Sequence, residues 1–300
     1  MLNEPSTTDF GALFEPHRRE LRAHCYRMLG SLADADDATQ DTMLRAFRAS
    51  GSLESTKAAR AWLYQIATNV CLDRLARRPA VLDPGALVDP CPDSIWESTE
   101  AGPEARISAR ESVALAFMVA LSELPPLQRA VLLLRDVLGW SASEAASLLD
   151  HSEASVNSAL QRARERCPAP ARARPTSLDP SIESLLGRYV RAWESGDAGA
   201  LTSLLRDDAR LTMPPGPIVT GRDEISAFLA GIYAQVGPMR VLPVPVAGGV
   251  GFAAYQRAAG DTRFRPLVLQ HVEVGSDGIA ALHSYMRPAL FPLFGLPDSL

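Results

Sequence analysis

Lysine is nearly absent from this 300-residue sequence: Lys57 is the only one, and the other 29 of its 30 basic residues are arginine. Arginine suits bidentate contact with phosphate and guanine, yet a bias so uniform along the chain carries no functional weight. Net positive charge is missing as well. At −5 the chain does not coat nucleic acid through bulk charge, so any DNA-reading surface must gather its cations locally. The four cysteines, Cys25, Cys71, Cys91 and Cys167, form no CxxC pair and no Cys/His cluster at zinc spacing. Cys25, Cys71 and Cys167 sit in helical patterns and are expected as small core residues of a reducing cytoplasm. The longest apolar run, residues 113–121, falls far short of a membrane span, and the N-terminus lacks the basic-then-apolar order of a signal peptide. A cytoplasmic protein is predicted, with no membrane segment, no cofactor and no metal.

The residues that are present fall into blocks. An apolar fraction of 47% and a charged fraction of 22% belong to a soluble globular protein, and the length implies two or three domains. Residues 10–78 read as helices. Two proline-rich stretches, 79–103 and 168–180, read as linkers. Beyond the second, the pattern changes to one helix followed by alternating apolar runs with glycine and proline breaks. The order is helical, linker, helical, linker, α+β.

The most specific stretch is residues 124–167, LPPLQRAVLLLRDVLGWSASEAASLLDHSEASVNSALQRARERC. Ser141 with Glu144 three residues on forms a capping box and marks a helix start. Asp150, His151 and Ser152 interrupt the pattern, and Ser152 is placed to cap the next helix. There Val156, Leu160, Ala163 and Cys167 recur as one buried stripe. The opposite face carries Ser155, Asn157, Ser158, Gln161, Arg162 and Arg164, a surface suited to a recognition helix in a major groove.

Aligned without a gap, residues 141–167 resemble the promoter −35-binding region of extracytoplasmic-function sigma factors. The matching residues are Ser141, Glu144, Ala146, Leu149, Ser152, Val156, Ser158, Leu160, Arg162, Ala163, Arg164 and Arg166. The resemblance implies −35 contacts from Ser152, Ser155, Asn157, Ser158, Gln161, Arg162 and Arg164. Asp150 replaces the turn glycine, and Asn157 and Ala159 stand where basic residues are common, which implies fewer phosphate contacts and a shallower salt dependence.

Residues 34–47 put Asp37, Gln40, Asp41 and Leu44 on one helical face. They are similar to the sigma-factor segment that docks on the clamp helices of the largest RNA polymerase subunit. Asp37, Gln40, Asp41, Leu44 and Arg45 are implied as polymerase contacts, carboxylates and an amide facing a basic partner. Residues 61–78 form a helix with Trp62, Ile66 and Val70 on its inner stripe and Arg74, Arg77 and Arg78 on another face. They resemble the family's −10-melting helix through Trp62, Leu63, Tyr64, Ile66, Ala67, Asn69, Leu72, Asp73, Leu75, Arg77 and Arg78. Asn69, Asp73, Arg74, Arg77 and Arg78 are implied as −10 contacts. Lys57 in the preceding loop would serve a flipped base. Elements near −35 and −10 lie about 25 base pairs apart, roughly 85 Å, and a linker of about 30 residues reaches roughly 100 Å when extended. Residues 79–111 are that long.

After a helix at 182–195 and a second one leading into a strand, strands are predicted near 239–247, 250–257, 266–274 and 279–286, with a hairpin turn at Ser276, Asp277 and Gly278. This order is similar to the SnoaL-like cone of polyketide cyclases and ketosteroid isomerases. Such extensions recur in a group of extracytoplasmic-function sigma factors, where they act in cis. The resemblance places Met213 where the isomerases carry a carboxylate base, and Gln270 or His271 near their second acid. Methionine cannot take a proton, so no catalytic residue is expected. Tyr189 matches the family's oxyanion-hole tyrosine. A cone lined by Tyr189, Trp193, Met213, Tyr255, His271 and Tyr285, with Phe228, is the candidate pocket for a small apolar ligand. The apolar tail, with Leu290, Phe291, Leu293, Phe294 and Leu296, is a candidate to dock on the linker or the promoter-reading domains.

The expected architecture is multidomain. Two all-α sigma domains, region 2 over 1–80 and helix-turn-helix region 4 over 111–170, are joined by a linker at 81–110. A second linker at 171–180 leads to an α+β SnoaL-like cone over 181–300. Core RNA polymerase and promoter DNA are the expected partners. Two other readings remain at this point: a SnoaL-like isomerase or cyclase carrying a DNA-binding front end, and a ligand-sensing helix-turn-helix regulator.

Overall fold

A computed structural model describes residues 7–53, 58–78, 88–92, 115–167, 180–214, 216–246, 249–275 and 277–300. The chain divides into one unit of residues 1–89 and 98–171 and a second of residues 90–97 and 172–300. Both sigma-like blocks therefore share the first unit, and part of the expected first linker belongs to the second. Most of both linkers, and Lys57, lie outside the described residues.

In the first unit, α1 (Thr7–Phe14), α2 (Arg18–Leu29), α3 (Leu32–Arg48) and α4 (Ala59–Ala76) form the N-terminal block. Ser31 starts α3 by accepting the Asp34 N–H on its hydroxyl at 3.3 Å, which satisfies a donor the helix leaves open. Fully buried Ala35, Ala38 and Ala46 let α3 approach α2 and α4 closely. In α4 the buried side chains are Ala59, Leu63, Tyr64, Ala67, Thr68, Val70 and Cys71. Trp62 and Ile66, expected on the inner stripe, are only half-buried. The buried arc is displaced because α4 is packed by the C-terminal helices of the same unit as well as by α2 and α3.

The C-terminus of α2 shows how the unit closes. A helix end leaves carbonyls without intrahelical donors, and here several are met from different parts of the chain. Gly30, left-handed at φ 77°, donates to the Tyr26 carbonyl at 2.7 Å. Arg129 donates to the Met28 carbonyl, Arg78 to that of Leu29 at 2.9 Å, and the Asp89 N–H to that of Gly30 at 2.7 Å. Asp89 is buried there, accepting the Leu32 N–H on its carboxylate and the Tyr26 hydroxyl on its carbonyl.

Helices α5 (Leu115–Ser122), α6 (Pro126–Leu132), α7 (Ala142–Leu149) and α8 (Glu153–Arg166) complete the unit, with a π-helical turn over Leu133–Val137. Ser141 and Glu144 form the expected capping box, and Ser152 caps α8 by accepting from the Ser155 N–H at 3.2 Å. Between α7 and α8, Asp150 holds a left-handed backbone at φ 55°, where glycine fits without strain. The α6 residue Arg129 is buried and also donates to the Ser122 and Leu124 carbonyls. Burial, then the nearby charge of Arg78, pushes its pKa down to about 10. Trp140 packs edge-on against Tyr64 at 5.6 Å between ring centroids, so the helix-turn-helix block lies against α2 and α4.

The second unit contains α9 (Pro180–Ser195), α10 (Ala198–Thr202), β1 (Leu205–Thr212), β2 (Ile218–Thr220), α11 (Arg222–Tyr233), β3 (Met239–Val246), β4 (Gly249–Gln256), β5 (Arg265–Val274) and β6 (Ile279–Tyr285). The four later strands fall within a residue of the sequence prediction at each end. The sheet order is β2-β1-β6-β5-β4-β3, antiparallel except where β1 runs parallel to β6. Strand alternation gives it two apolar faces. One, with Val241, Phe252, Val268, Val272 and Leu282, packs beneath Leu186, Tyr189, Trp193, Ile225 and Leu229 of the helices. The other, with Val244, Ala253, Tyr255, Leu269 and Tyr285, is covered by Leu290 and Phe291. Those two belong to a 3-10 segment, Pro288–Phe294. Leu293, Phe294 and Leu296 pack there too, and the Tyr255 hydroxyl donates to the Pro297 carbonyl at 2.9 Å. The tail thus packs on its own sheet through Leu290 and Phe291, while Leu293, Phe294 and Leu296 stay partly exposed. Pro92, from the first linker, forms a bridge with Val246.

Candidate functional site

Val156, Leu160, Ala163 and Cys167 are buried as expected, and Ser152, Ser155, Asn157, Ser158, Gln161, Arg162 and Arg164 are all exposed on the other side of α8. Of the two positions where the resemblance expects basic residues, Asn157 is exposed and Ala159 is 1% exposed, a core residue of the helix pair. Arg164 is held by Asp136, its Nε and Nη2 donating to the two carboxylate oxygens at 2.9 and 2.7 Å. That hydrogen bond raises the Arg164 pKa. Arg162 makes no ion pair among the described residues.

The surfaces implied for polymerase and for −10 DNA are not separate. Arg74 of α4 donates to Asp41 of α3 at 2.6 Å and lies 3.9 Å from Asp37, Arg78 pairs with Asp34, and Arg45 pairs with Asp73 at 3.1 Å. The hydrogen bond to Asp41 is the largest cause raising the Arg74 pKa. Each such pair is partly exposed and worth about 0–1 kcal/mol, but together they neutralise cations along one side of α4. What stays open on α3 is Asp37, Gln40 and Leu44, and Leu44 and Phe47 expose 43% and 41% of their surface. On α4, Asn69, Asp73 and Arg77 are exposed. The sequence signalled the charges but not their pairing, because α3 and α4 must pack before Arg74 can reach Asp41.

The six residues expected around one ligand pocket divide between the two faces of the sheet. Tyr189, Trp193 and Met213 belong to the helix-covered side, where Tyr189 and Phe252 rings lie 4.9 Å apart. The Tyr189 hydroxyl donates to Gln270 Oε1 at 2.7 Å, and Gln270 Nε2 to Ser284 at 3.2 Å. Burial raises the Tyr189 pKa. Tyr255 and Tyr285 belong to the tail-covered side. His271 is there too: it stands between Leu269 and Glu273 on β5, and Leu269 packs under the tail. Two-residue periodicity forbids a common lining: Gln270 and His271 point to opposite sides.

His271 pairs across the ladder with His283 of β6, their rings 5.8 Å apart. Two residues along β5, Glu273 shares their side of the sheet. His283 Nε2 lies 3.2 Å from Glu273 Oε1, and its Nδ1 lies 2.9 Å from the Thr212 hydroxyl. His271 is 1% exposed, and neither of its ring nitrogens has a hydrogen-bond partner among the described residues. Burial is the main cause pushing its pKa down to about 4, so the ring is neutral near pH 7. This cluster is not legible in the sequence. Its spacing, His271-x-Glu273 and then His283, becomes meaningful only once the β5–β6 register is fixed.

Comparison with known proteins agrees with this architecture. Residues 13–80 match the sigma-70 region 2 family, 114–167 the sigma-70 region 4 family and 186–283 the SnoaL-like domain family. The chain is 39% identical over 322 residues to the ECF RNA polymerase sigma factor SigG of Mycobacterium tuberculosis, covering 97% of this chain and 85% of SigG. It is 30% identical over 235 residues to SigJ of the same organism, covering 75% of this chain and 73% of SigJ. The crystal structure of Mycobacterium tuberculosis SigJ matches with a TM-score of 0.65 at 26% identity, over 95% of this chain and 99% of that one. Two sigma regions, a SnoaL-like domain and near-full-length relatives point one way: the chain belongs to the extracytoplasmic-function sigma factors, which bind RNA polymerase and direct transcription initiation.

Proposed function

We propose that α8 reads the −35 element, that α4 contacts the melted −10 region, that the Asp37–Gln40–Leu44 face of α3 docks on core polymerase in the cytoplasm, and that the SnoaL-like unit modulates this activity in cis without catalysis of its own. The observation that carries the reading is the division of α8 into a fully buried stripe and a continuous exposed face. Apolar Leu44 beside carboxylate and amide groups on α3 has the mixed chemistry of a docking surface. In the SnoaL-like unit, Met213 and the amide of Gln270 stand where the isomerases carry acids, which supports a binding or regulatory role over proton transfer.

The contacts of Arg129 with Met28 and of Trp140 with Tyr64 describe a closed first unit. Reading two elements roughly 85 Å apart requires these contacts to part on polymerase, with the first linker extending between them. The test is run-off transcription with purified core polymerase, using the full chain and a 1–175 truncation over a range of salt. Specific initiation by both, with different activity or salt response, is the expected result. No specific transcript from either would overturn the promoter assignment, and identical behaviour would overturn modulation in cis.

A further inference from the structure

We propose that His271, Glu273 and His283 form a binding site for one divalent transition-metal ion of the zinc type, on the tail-covered face of the SnoaL-like sheet. The cluster offers two imidazoles and a carboxylate, and its ligand atoms all lie within 4.8 Å of one another. This is the donor set of open three-ligand zinc sites, which keep a fourth position for water or another ligand. Bringing those atoms around zinc at 2.0–2.1 Å needs them roughly 3.3 Å apart, a closure within reach of side-chain rotation.

Three further observations point to a ligand. His271 is buried with both nitrogens unpaired among the described residues, an arrangement that normally demands explanation, since buried polar groups are almost always hydrogen-bonded. Thr212 sits behind His283, 2.9 Å from Nδ1, and its hydroxyl works as donor or acceptor. When Nδ1–H donates to Thr212, the Nε2 lone pair is freed toward Glu273, the role that outer-shell partners of metal-binding histidines play. Access also exists: the side chains of His283 and Glu273 are 16% and 38% exposed, while His271 closes the inner side. A purely structural His–Glu pair would use His283 and Glu273 but would leave His271 unexplained. An ion held here would tie β5 to β6 and, through Thr212, to β1 on the face where the tail packs.

The experiment uses the full chain, stripped with a chelator and titrated with Zn²⁺ against a chromophoric competitor, then with Co²⁺ to read the donors spectroscopically. Glu273→Gln and Thr212→Val are the variants, because burying a change at His271 risks the fold. Circular dichroism of each metal-free variant checks that it is folded. One ion per chain is expected, with visible Co²⁺ bands of a nitrogen–oxygen site. Thr212→Val should weaken binding by about 10–100-fold, and Glu273→Gln by at least as much. Substoichiometric binding, a thiolate charge-transfer band, or unchanged affinity in both folded variants would overturn the site.

Discussion

Lowering the pH from 7 to 5 should destabilise the first unit through His24. The imidazole is fully buried, its Nε2 2.9 Å from the Thr68 hydroxyl, and Thr68 spends its own proton on the Tyr64 carbonyl at 2.7 Å. Thr68 therefore accepts from Nε2–H, while Nδ1 has no partner among the described residues. Burial, and then the charge of Arg27, pushes the pKa down to about 3 from 6.5. With the folded pKa depressed, the unfolded chain takes the proton first as pH falls. Stability is complete above about 6.5 and is lost on the way down toward 3. The loss is about 0.7 kcal/mol between pH 7 and 6 and about 1.2 between pH 6 and 5. His24→Gln keeps an N–H donor and cannot titrate. Urea denaturation followed by circular dichroism, on both proteins at the three pH values, should show wild type losing roughly 2 kcal/mol more than the variant. Other titrating groups cancel in that difference. Parallel pH profiles would refute the argument.

Phe291→Ala should cost about 3–5 kcal/mol, because the ring is fully buried against Tyr255; calorimetry of the full chain would show the loss as a lower melting transition. Asp150→Gly should stabilise the first unit by up to about 1 kcal/mol by relieving the left-handed turn, seen as a rise of about 2–4 °C in the melting midpoint. For holoenzyme binding to promoter DNA, Arg162→Ala should reduce the slope of log affinity against log salt by about 0.9. Arg164→Ala should reduce it less, because Asp136 already neutralises that cation. Leu44→Ala should weaken binding to core polymerase, measured by fluorescence anisotropy, while leaving the melting midpoint within about 1 °C.

The elements that were legible in the sequence are those set by local chemistry. The capping box at Ser141, the cap at Ser152, the apolar stripe of α8 and the alternating strands from residue 239 onward each follow from residues a few positions apart. What escaped depends on register and packing. Ala159 is a basic-position substitute in an alignment but a core residue in the helix pair. The candidate pocket combined Tyr189, Trp193 and Met213 from the helix-covered face with Tyr255, His271 and Tyr285 from the other, a division set by strand alternation. β2, only three residues long, carries too little pattern to be seen. The ion pairs between α3 and α4, and the cluster of His271, Glu273 and His283, join side chains that only tertiary structure brings together.

The C-terminus of α2 has a consequence for how the protein is made. Its carbonyls are completed by Gly30, Arg78, Asp89 and Arg129, which emerge from the ribosome in that order. At about 5–20 residues per second, some 2–8 seconds separate the last two. During that interval the N-terminal block exists as a nascent chain with one helix end still hydrated and its later partner unsynthesised. Arg129 is therefore a completion mark: a chain stopped before the helix-turn-helix is born with its N-terminal block unsealed.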